Sequence, residues 1–444
     1  MSETGKARNC VTHLASTSQY PLFLITTLAA LPIALNRQFL WAGYFSFVAA
    51  VLFWLVLVRS SHSSKLASFV LLYRPLFLLL TIWTTWCLVG SGGHGVFVEA
   101  VTTELSALDE NGFGFYKWVT GEPALLCFGY IAVFLTVYLL AGDVAAARVF
   151  YAGLLATMFA QLIGVGWRFI AVNEGAWPFT GTFINPNHFG IFILVLTAFL
   201  YAFGQRRLLS LRSRERGLFA SIAEWGTSHT HGLVVLGALL AIGSGSRGVI
   251  LILGVSVIMA AVAKRLRNAV SAVRLIALIA LLFVLLVLAL ALLPVPNYAH
   301  ADRIVVWRAV FENFSQYGVL GLGGGNFEFF FAEIKPLTLT PATYDHAHND
   351  FIEILVEQGA IGLGLFLVTL GMWFAALQDV LRRHAQEKAW HRLVVGYVIG
   401  VSCLLMHAAI DFPLSLPGLV VFVLIATALL LRLSVERRNA RNVS

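Results

Sequence analysis

The sequence has little charge. Only 12% of its 444 residues are Asp, Glu, Lys or Arg, while 59% are hydrophobic. A soluble domain carries about twice that share of charged residues, so the composition excludes a soluble protein and indicates a polytopic membrane protein. Cysteine is also scarce, and the four cysteines form neither a CxxC pair nor a disulfide pattern. We therefore expect them to be small core residues rather than metal ligands.

Long apolar segments dominate the sequence instead. Runs long enough to cross about 30 Å of hydrocarbon lie at 20–36, 39–58, 67–91, 122–141, 149–167, 188–204, 232–245, 248–263, 275–294, 355–376, 393–410 and 414–431. They predict an all-α fold with about twelve transmembrane helices, in a transmembrane domain covering residues 20–431. Residues 1–19 are polar and lack the order of a cleavable signal peptide, so the first span is expected to remain as an anchor.

The distribution of positive residues predicts the orientation of the spans. Lys and Arg cluster in the segments 206–216, 264–274 and 382–392 and in the two termini, 1–19 and 432–444. Because cytoplasmic loops retain positive residues, these loops and both termini are expected in the cytoplasm. Most acidic residues fall in or beside the opposite loops, 92–121, 168–187 and 295–354. The net charge of +8 then follows from topology and favours contact with anionic lipid rather than nucleic acid.

The loop at 295–354 is long enough, at about sixty residues, to require structure of its own. Within it, residues 302–311 place apolar groups at helical spacing, with Arg303 and Trp307 on one face. This pattern predicts an amphipathic helix lying on the membrane surface. The segment 321–327 is a glycine-rich turn whose backbone N–H groups suit an anion, although a plain turn is the simpler interpretation.

The densest group of ionisable residues is Asp345-His346-Ala347-His348-Asn349-Asp350, directly before a span. Such a cluster beside a membrane segment is a functional-site hypothesis. Asp350 and Glu353 have the spacing of a helix cap and its returning partner, which places His348 just before a helix. The sequence leaves open whether the helix dipole or a neighbouring carboxylate governs the charge of His348. Gly359 and Gly362 follow, where missing side chains permit a bend or close contact.

Two further motifs face the same side as His348 in this topology. One is Gly181-Thr182-Phe183-Ile184-Asn185-Pro186-Asn187-His188-Phe189, and the other is the turn Gly243-Ser244-Gly245-Ser246-Arg247-Gly248. The asparagines of the first motif are open to a second interpretation, as caps of the helix that follows. A less favoured interpretation of Arg247 is that it anchors its turn. Asp411, with His407 four residues before it and Pro413 after it, is interpreted as the end of a span.

These motifs resemble those of the bacterial O-antigen ligase and O-antigen polymerase family. The resemblance rests on His348-Asn349, nine residues, Gly359, two residues and Gly362, together with Arg303, Trp307 and the Arg247 turn. The segment 181–189 is similar to a stretch common among members. The resemblance covers roughly residues 180–415, and about twelve helices agree with it.

The resemblance implies glycosyl transfer from an undecaprenyl diphosphate-linked glycan to an acceptor at the periplasmic face of the bacterial inner membrane. It implies neither a metal nor another cofactor. His348 is then the expected general base, and Arg303 and Arg247 the catalytic cations that meet the charge of the diphosphate. Substrate contacts are expected from Arg308, Trp307, Asn349, His346, Asn187, His188 and Asn326. A pairing of Arg308 with Glu312 one turn later is an equal alternative.

Several alternatives stay open at this point. His346, His348 and Asp350 resemble a metal-ligand cluster, although residues two apart share a metal only in extended chain and a further ligand is needed. Transport by polar residues within broken helices is another class, but the polar residues gather at one face. Within the family, a lipid A-core ligase is favoured narrowly over a polymerase of lipid-linked repeat units. Protein glycosylation is disfavoured, because family members with that activity often carry extra sequence beyond the final spans, whereas only a short tail follows the last predicted span of this sequence.

Overall fold

The structure is a computed structural model that describes residues 82, 126–127, 129–141, 144–171, 178–205, 218–266, 268–292, 302–339 and 342–443. Over these residues the fold is helical and contains no strand. The helices are α1 (Gly129–Leu140), α2 (Val144–Ala171), α3 (Pro186–Phe203), α4 (Leu218–Ser228), α5 (Thr230–Gly243), α6 (Arg247–Arg265), α7 (Ala269–Leu292), α8 (Asp302–Glu312), α9 (Phe314–Tyr317), α10 (Phe327–Ile334), α11 (Asp350–Arg383), α12 (Lys388–Ala408) and α13 (Pro417–Val443). Short 3₁₀ turns lie at Leu337–Leu339 and Pro413–Ser415.

Seven of these helices, namely α2, α3, α6, α7, α11, α12 and α13, are long and apolar enough to cross a membrane. Helices α1 and α5 are apolar but shorter. The fold is therefore that of an all-helical membrane protein, as predicted. Apart from residue 82, the predicted spans at 20–36, 39–58 and 67–91 and the loop at 92–121 lie outside the described residues. The count of about twelve spans stays a prediction.

Helices α3 and α12 form the centre of the bundle. Small residues allow their close approach, because Gly396 and Gly400 on α12 face Ala202 and Ala198 on α3. A methyl group added at either glycine would lie 3.0 Å from the facing alanine Cβ. Helices in a membrane associate through such packing, since lipid provides no hydrophobic driving force between them. The pairing is antiparallel, so the start of α3 and the end of α12 meet at the same end of the bundle.

The segment between α7 and α11, called the α7–α11 loop below, folds around a small core of its own. Buried Val306, Trp307 and Val310 on α8 pack with Phe327 and Phe330 on α10. The helix predicted over 302–311 is confirmed. Its apolar face, however, is buried against α7, α10 and the start of α11, so this face is not free to lie on a membrane surface as the sequence predicts.

Helix α11 is broken at Gly359, where φ is 69° and ψ is −176°. Four backbone hydrogen bonds of 2.8–3.2 Å join residues 318–323 of the α7–α11 loop to residues 356–361. They satisfy polar groups that the break would otherwise leave unpaired. A Cβ atom at Gly359 would lie 2.2 Å from the backbone oxygen of Val319. The bend predicted from the glycines of this segment is confirmed, and its close contact is with a turn rather than with another helix.

Candidate active site

A buried carboxylate, Asp411, lies at the centre of the site, in the turn after α12. Its Oδ1 atom lies 3.1 Å from Nδ1 of His348 and accepts a hydrogen bond from the Phe412 N–H at 3.1 Å. Its Oδ2 atom accepts a hydrogen bond from the side-chain amide of Asn187 at 3.0 Å and lies 3.5 Å from Nη2 of Arg303. The Asp411 side chain is 1% exposed. One carboxylate thus connects α3, α8, α12 and the histidine motif.

Local structure brings each partner to Asp411. Asn185 caps α3 by accepting a hydrogen bond from the Asn187 N–H at 2.8 Å, and Pro186 fits the first helical position, so Asn187 lies in the first turn. Arg303, in the first turn of α8, also donates a hydrogen bond to the backbone oxygen of Ile410. This second bond fixes the guanidinium beside the turn that carries the carboxylate.

His348 is held by its neighbours on both sides. Asn349 accepts hydrogen bonds from two N–H groups of α11 and donates one to the backbone oxygen of Ala409 at 2.8 Å. The indole of Trp307 donates to the backbone oxygen of Ala347 at 2.7 Å. His348 itself has φ 49°, in the left-handed region that non-glycine residues rarely adopt. Strained backbone of this kind, which costs on the order of 1–3 kcal/mol, is concentrated at functional sites.

The electrostatics of the site follow from the charge of Asp411. Burial alone would raise the pKa of Asp411, but the hydrogen bond with His348 and the charges of His407 and Arg303 outweigh burial. The pKa of Asp411 therefore lies below its ordinary value, and the carboxylate is ionised at neutral pH. Because an ionised carboxylate only accepts hydrogen bonds, the Nδ1 atom of His348 that faces Asp411 carries a proton, and Nε2 is the ring atom left to exchange a proton with a substrate. The His348 side chain is 28% exposed, so this atom is accessible to a substrate.

Phe412 organises three histidine rings beside the carboxylate. The ring of His346 stacks on Phe412 with 4.1 Å between centroids, and His348 and His188 meet it edge-on at 5.0 and 4.7 Å. Burial alone would lower the pKa of His346, but Glu353, which lies 2.7 Å from its Nδ1 atom, raises that pKa to about 9. His346 is therefore a cation at neutral pH.

Two histidines lie beneath the carboxylate. His407 Nε2 is 3.9 Å from Asp411 Oδ2, and His188 occupies the start of α3. Within the described part of the chain, neither His188 Nε2 nor either ring nitrogen of His407 has a hydrogen-bond partner, and all three atoms are buried. Unpaired buried polar atoms are uncommon in folded proteins and tend to occur at functional sites.

Arg247 is the first residue of α6. Gly248, the next residue, allows the start of α6 to contact the turn of Asp411, because a Cβ atom there would lie 2.6 Å from a side-chain carbon of Ile410. The Arg247 side chain is exposed, and the structure records no hydrogen bond or ion pair between it and any other described residue. The start of α6 therefore approaches Ile410, whose backbone oxygen accepts a hydrogen bond from Arg303.

The structure brings Asn187, His188, Arg303, His346 and His348 together around Asp411 and Phe412. Two other predicted substrate-binding residues, Trp307 and Asn349, are buried. Their side chains donate hydrogen bonds to backbone oxygens and so hold the α7–α11 loop in place. Arg308 is half-buried on α8. The substrate contacts predicted for all of these residues stay predictions.

Asn326 lies apart from this group. Its amide donates to the backbone oxygen of Leu322 at 2.9 Å, and the residue is buried. In the glycine-rich turn, the N–H groups of Gly325 and Phe327 donate to the carboxylate of Glu357 at 2.8 and 3.3 Å. In this structure a side chain of α11 occupies the N–H groups of the turn, and burial raises the pKa of that Glu357 carboxyl group to about 8.

Two details of the histidine motif differ from the sequence-based interpretation. The cap of α11 is Asn349 rather than Asp350, and Glu353 bonds His346 and the Ala347 N–H instead of returning to the cap. Asp350 is buried and accepts a hydrogen bond from the Leu414 N–H at 2.9 Å. The helix starts where predicted, but the capping residue was placed one position too late.

The metal alternative requires His346, His348 and Asp350 to bind the same metal ion. Each of these side chains bonds a different part of the protein, and among the described residues no group of three His, Cys, Asp or Glu is arranged to hold a metal ion.

Sequence reasoning missed the roles of Asp411 and Phe412. Asp411 was interpreted as the end of a span, although an ionisable residue one turn after a histidine at a membrane boundary was itself a signal for a site. No local pattern indicated Phe412.

Comparison with known proteins bears on this arrangement. Residues 232–367 match the family model described as O-antigen ligase. That segment includes Arg247, Arg303 and His348, whereas Asn187 and Asp411 lie on either side of it. No curated protein matches the chain. Members of the family are glycosyltransferase-like enzymes, ligases or polymerases, that act on lipid-linked glycans. The match supports the resemblance that the histidine motif indicates, in that residues 232–367 are similar to the O-antigen ligase family.

Proposed function

We propose that the protein transfers a glycan from an undecaprenyl diphosphate carrier to lipid A-core or a similar acceptor, without a metal ion. The observation that carries this proposal is the His348–Asp411 pair. It combines a partly exposed imidazole with a buried, ionised carboxylate 3.1 Å from its Nδ1 atom. A general base that deprotonates a sugar hydroxyl requires this orientation and this accessible Nε2 lone pair.

In the proposed reaction, the acceptor hydroxyl oxygen attacks the anomeric carbon of the donor glycan. The bond from that carbon to the diphosphate oxygen breaks, and its electron pair leaves with the carrier diphosphate. The hydroxyl proton moves to Nε2 of His348, and the charge of Asp411 stabilises the resulting imidazolium. Such a base contributes about 10²–10⁴-fold in rate.

Arg303, which contacts the backbone oxygen of Ile410, and Arg247, at the start of α6, supply positive charge for the leaving diphosphate. Arg303 is 40% exposed while it contacts Asp411, and Arg247 is exposed at the start of α6. Guanidinium groups fit phosphate oxygens as forked donors, and the positive end of the α6 dipole acts in the same direction. We assign both arginines to stabilisation of the charge that develops on the diphosphate, a contribution of about 10²-fold or more.

The geometry favours a single displacement. Asp411 is 1% exposed and both of its oxygens accept hydrogen bonds, so it is not placed to attack a sugar carbon. Base-assisted attack by the acceptor then inverts the anomeric configuration of the transferred sugar. Nuclear magnetic resonance of the donor and product linkages checks this: inversion is expected, and retention contradicts the assignment of His348 as the base.

The proposed topology places the site at the periplasmic face of the bacterial inner membrane, with both termini in the cytoplasm. The ends of α6 and α11 far from the site carry Lys264 and Arg265, and Arg382 and Arg383. Positive residues are retained on the cytoplasmic side, which supports this orientation. We place the donor carrier in the lipid beside the bundle and the α7–α11 loop above the membrane as the catalytic loop.

The test uses purified protein in lipid nanodiscs with undecaprenyl diphosphate-linked glycan and EDTA. Lipid A-core and a second lipid-linked glycan are offered as separate acceptors. Glycan on lipid A-core supports the proposal, and a lengthened lipid-linked chain instead identifies a polymerase. Absence of product with both acceptors, or a product that forms only when a metal replaces EDTA, contradicts the proposed reaction.

A further inference from the structure

An apolar edge of the α7–α11 loop is exposed although the rest of the loop buries its apolar residues. Phe314, Val319 and Leu320 are 40%, 56% and 43% exposed. They belong to the turn at residues 313–320, between α8 and the glycine-rich segment. Exposed Ser315 and Gln316 lie in the same turn. The turn therefore presents both apolar and uncharged polar side chains.

The break in α11 indicates where the membrane begins. From Ala360 to Arg383 the helix has 24 residues, which at 1.5 Å each extend about 36 Å and suffice to cross about 30 Å of hydrocarbon. The span thus begins near Gly359, and the first turns of α11 stand above it. Only 11% of the most apolar stretch of this helix is buried against the rest of the protein. Its residues Leu367 and Val368 are exposed, as lipid-facing residues would be.

The exposed turn is joined to this point on α11. The Ala360 N–H donates to the backbone oxygen of Gly318, and the Ile361 N–H donates to that of Val319, both at 3.2 Å. Ile361 is itself 37% exposed. The apolar edge of the turn is therefore continuous with the lipid-facing side of the helix at the level where the span starts.

The composition of residues 313–327 also fits a position at the membrane boundary. Residues 313–327 contain no charged residue, whereas the flanking residues Glu312 and Glu328 are acidic. Uncharged polar groups and apolar side chains are tolerated at the boundary between lipid headgroups and acyl chains, where a charge would be costly.

We infer that the turn at residues 313–320 is inserted into the surface of the bilayer, in the leaflet on the side of the candidate active site. Phe314, Val319 and Leu320 contact lipid acyl chains, and Ser315 and Gln316 lie among headgroups and water. The turn directly follows α8, which carries Arg303, so the lipid contact fixes the height of this helix above the membrane. The inference concerns lipid contact and does not depend on the proposed glycosyl transfer.

The test uses the full chain in liposomes with an environment-sensitive fluorescent amino acid at a single position. A probe at 319 tests the turn, a probe at 367 is the lipid-exposed reference, and a probe at 315 is the reference on the polar side. Spin-labelled lipids with a shallow label serve as quenchers. We expect the probe at 319 to emit at shorter wavelength than the probe at 315 and to be quenched by the shallow label at least as strongly as the probe at 367, which lies deeper in the span.

Two results would overturn the inference. Emission at 319 like that of a probe in water would show an aqueous loop. Short-wavelength emission without quenching by lipid would show that protein, either another part of this chain or a second copy, covers the turn. Size-exclusion chromatography establishes that each variant is folded, and a probe at 320 replaces position 319 if that variant is not.

Discussion

Replacing Asp411 with asparagine tests the dyad while keeping the shape of the side chain. The amide has no charge to stabilise the His348 imidazolium, and its NH₂ group can donate to Nδ1, which favours the tautomer with the proton on Nε2. The base would then be lost without removal of the histidine. Since general-base catalysis contributes about 10²–10⁴-fold, we expect kcat to fall by about that factor, equivalent to about 3–5 kcal/mol of activation free energy.

The assay is transfer of glycan from the lipid-linked donor by the protein in nanodiscs, with kcat and KM determined separately. The effect should fall on kcat, because Asp411 is buried and does not reach the donor. Asp379→Asn is the matched control. Asp379 pairs with Arg383 at the far end of α11 and is 43% exposed, and exposed pairs of this kind contribute about 0–1 kcal/mol to stability. Its loss should leave kcat unchanged.

The depressed pKa of Asp411 also predicts how its contribution to stability depends on pH. The pKa of Asp411 is depressed, so its contribution to stability is complete above its ordinary value of 3.8 and is lost only as the pH falls through the lower folded value. Wild-type protein should therefore keep this contribution at every pH from 5 to 8, the usual range of maximal stability.

A folded Asp411→Asn variant that retains more than about a tenth of wild-type kcat would refute a base that depends on Asp411.

Three other substitutions test separate parts of the structure. Glu353→Gln removes the partner that raises the pKa of His346 to about 9. In the wild-type protein this pair stabilises the fold fully below about pH 6.5 and progressively less as the pH rises through 9. Between these two pH values, the thermal unfolding temperature of the variant should therefore fall less than that of the wild type. Gly359→Ala places a Cβ atom 2.2 Å from a backbone oxygen at a φ of 69° and should prevent folding or lower the unfolding temperature sharply, whereas Gly364→Ala in the same helix meets no atom within 4 Å and should be neutral or slightly stabilising. Asn187→Ala removes one hydrogen bond to the buried carboxylate of Asp411, and a bond to a charged acceptor contributes about 1.5–3 kcal/mol. We expect kcat to fall by about tenfold or more, with KM little changed. An equal loss of donor binding would instead indicate that Asn187 contacts the substrate directly.

The parts of the fold that local sequence signals specify were predictable. The apolar run at 188–204 predicted α3 to within two residues, the alternative interpretation of Asn185 as a helix cap agrees with the structure, and apolar spacing predicted α8. Glycines predicted the bend of α11, because only glycine tolerates the backbone conformation found at Gly359. The capping residue of α11 was misplaced by one position because Asn349 and Asp350 are both good caps and the sequence does not distinguish them.

The centre of the site was not predictable in the same way. Asp411 is 63 residues from His348 and 224 from Asn187, so the carboxylate meets its partners only when α3, α8 and α12 have packed. The same limit applies to Glu357, whose carboxylate occupies the glycine-rich turn 32 residues before it. Each of these contacts depends on tertiary packing, and hydropathy and short motifs carry no information about it.

The transport alternative also depends on where the polar groups lie. In the described part of the chain, the charged and histidine side chains discussed above gather around the turn after α12 and the start of α11, at one end of the bundle. A transporter that binds substrate within broken helices would place them near the middle of the membrane. The break at Gly359 is instead filled by backbone from the α7–α11 loop.

The central claim is that His348 removes the proton of the acceptor hydroxyl during glycosyl transfer. The most direct measurement compares wild-type protein and His348→Ala in single-turnover transfer from the lipid-linked donor, with donor binding measured on the same samples. We expect the variant to bind donor like the wild type and to lose at least about 10² in the rate of transfer. Transfer by His348→Ala at a rate close to that of wild type would contradict the account.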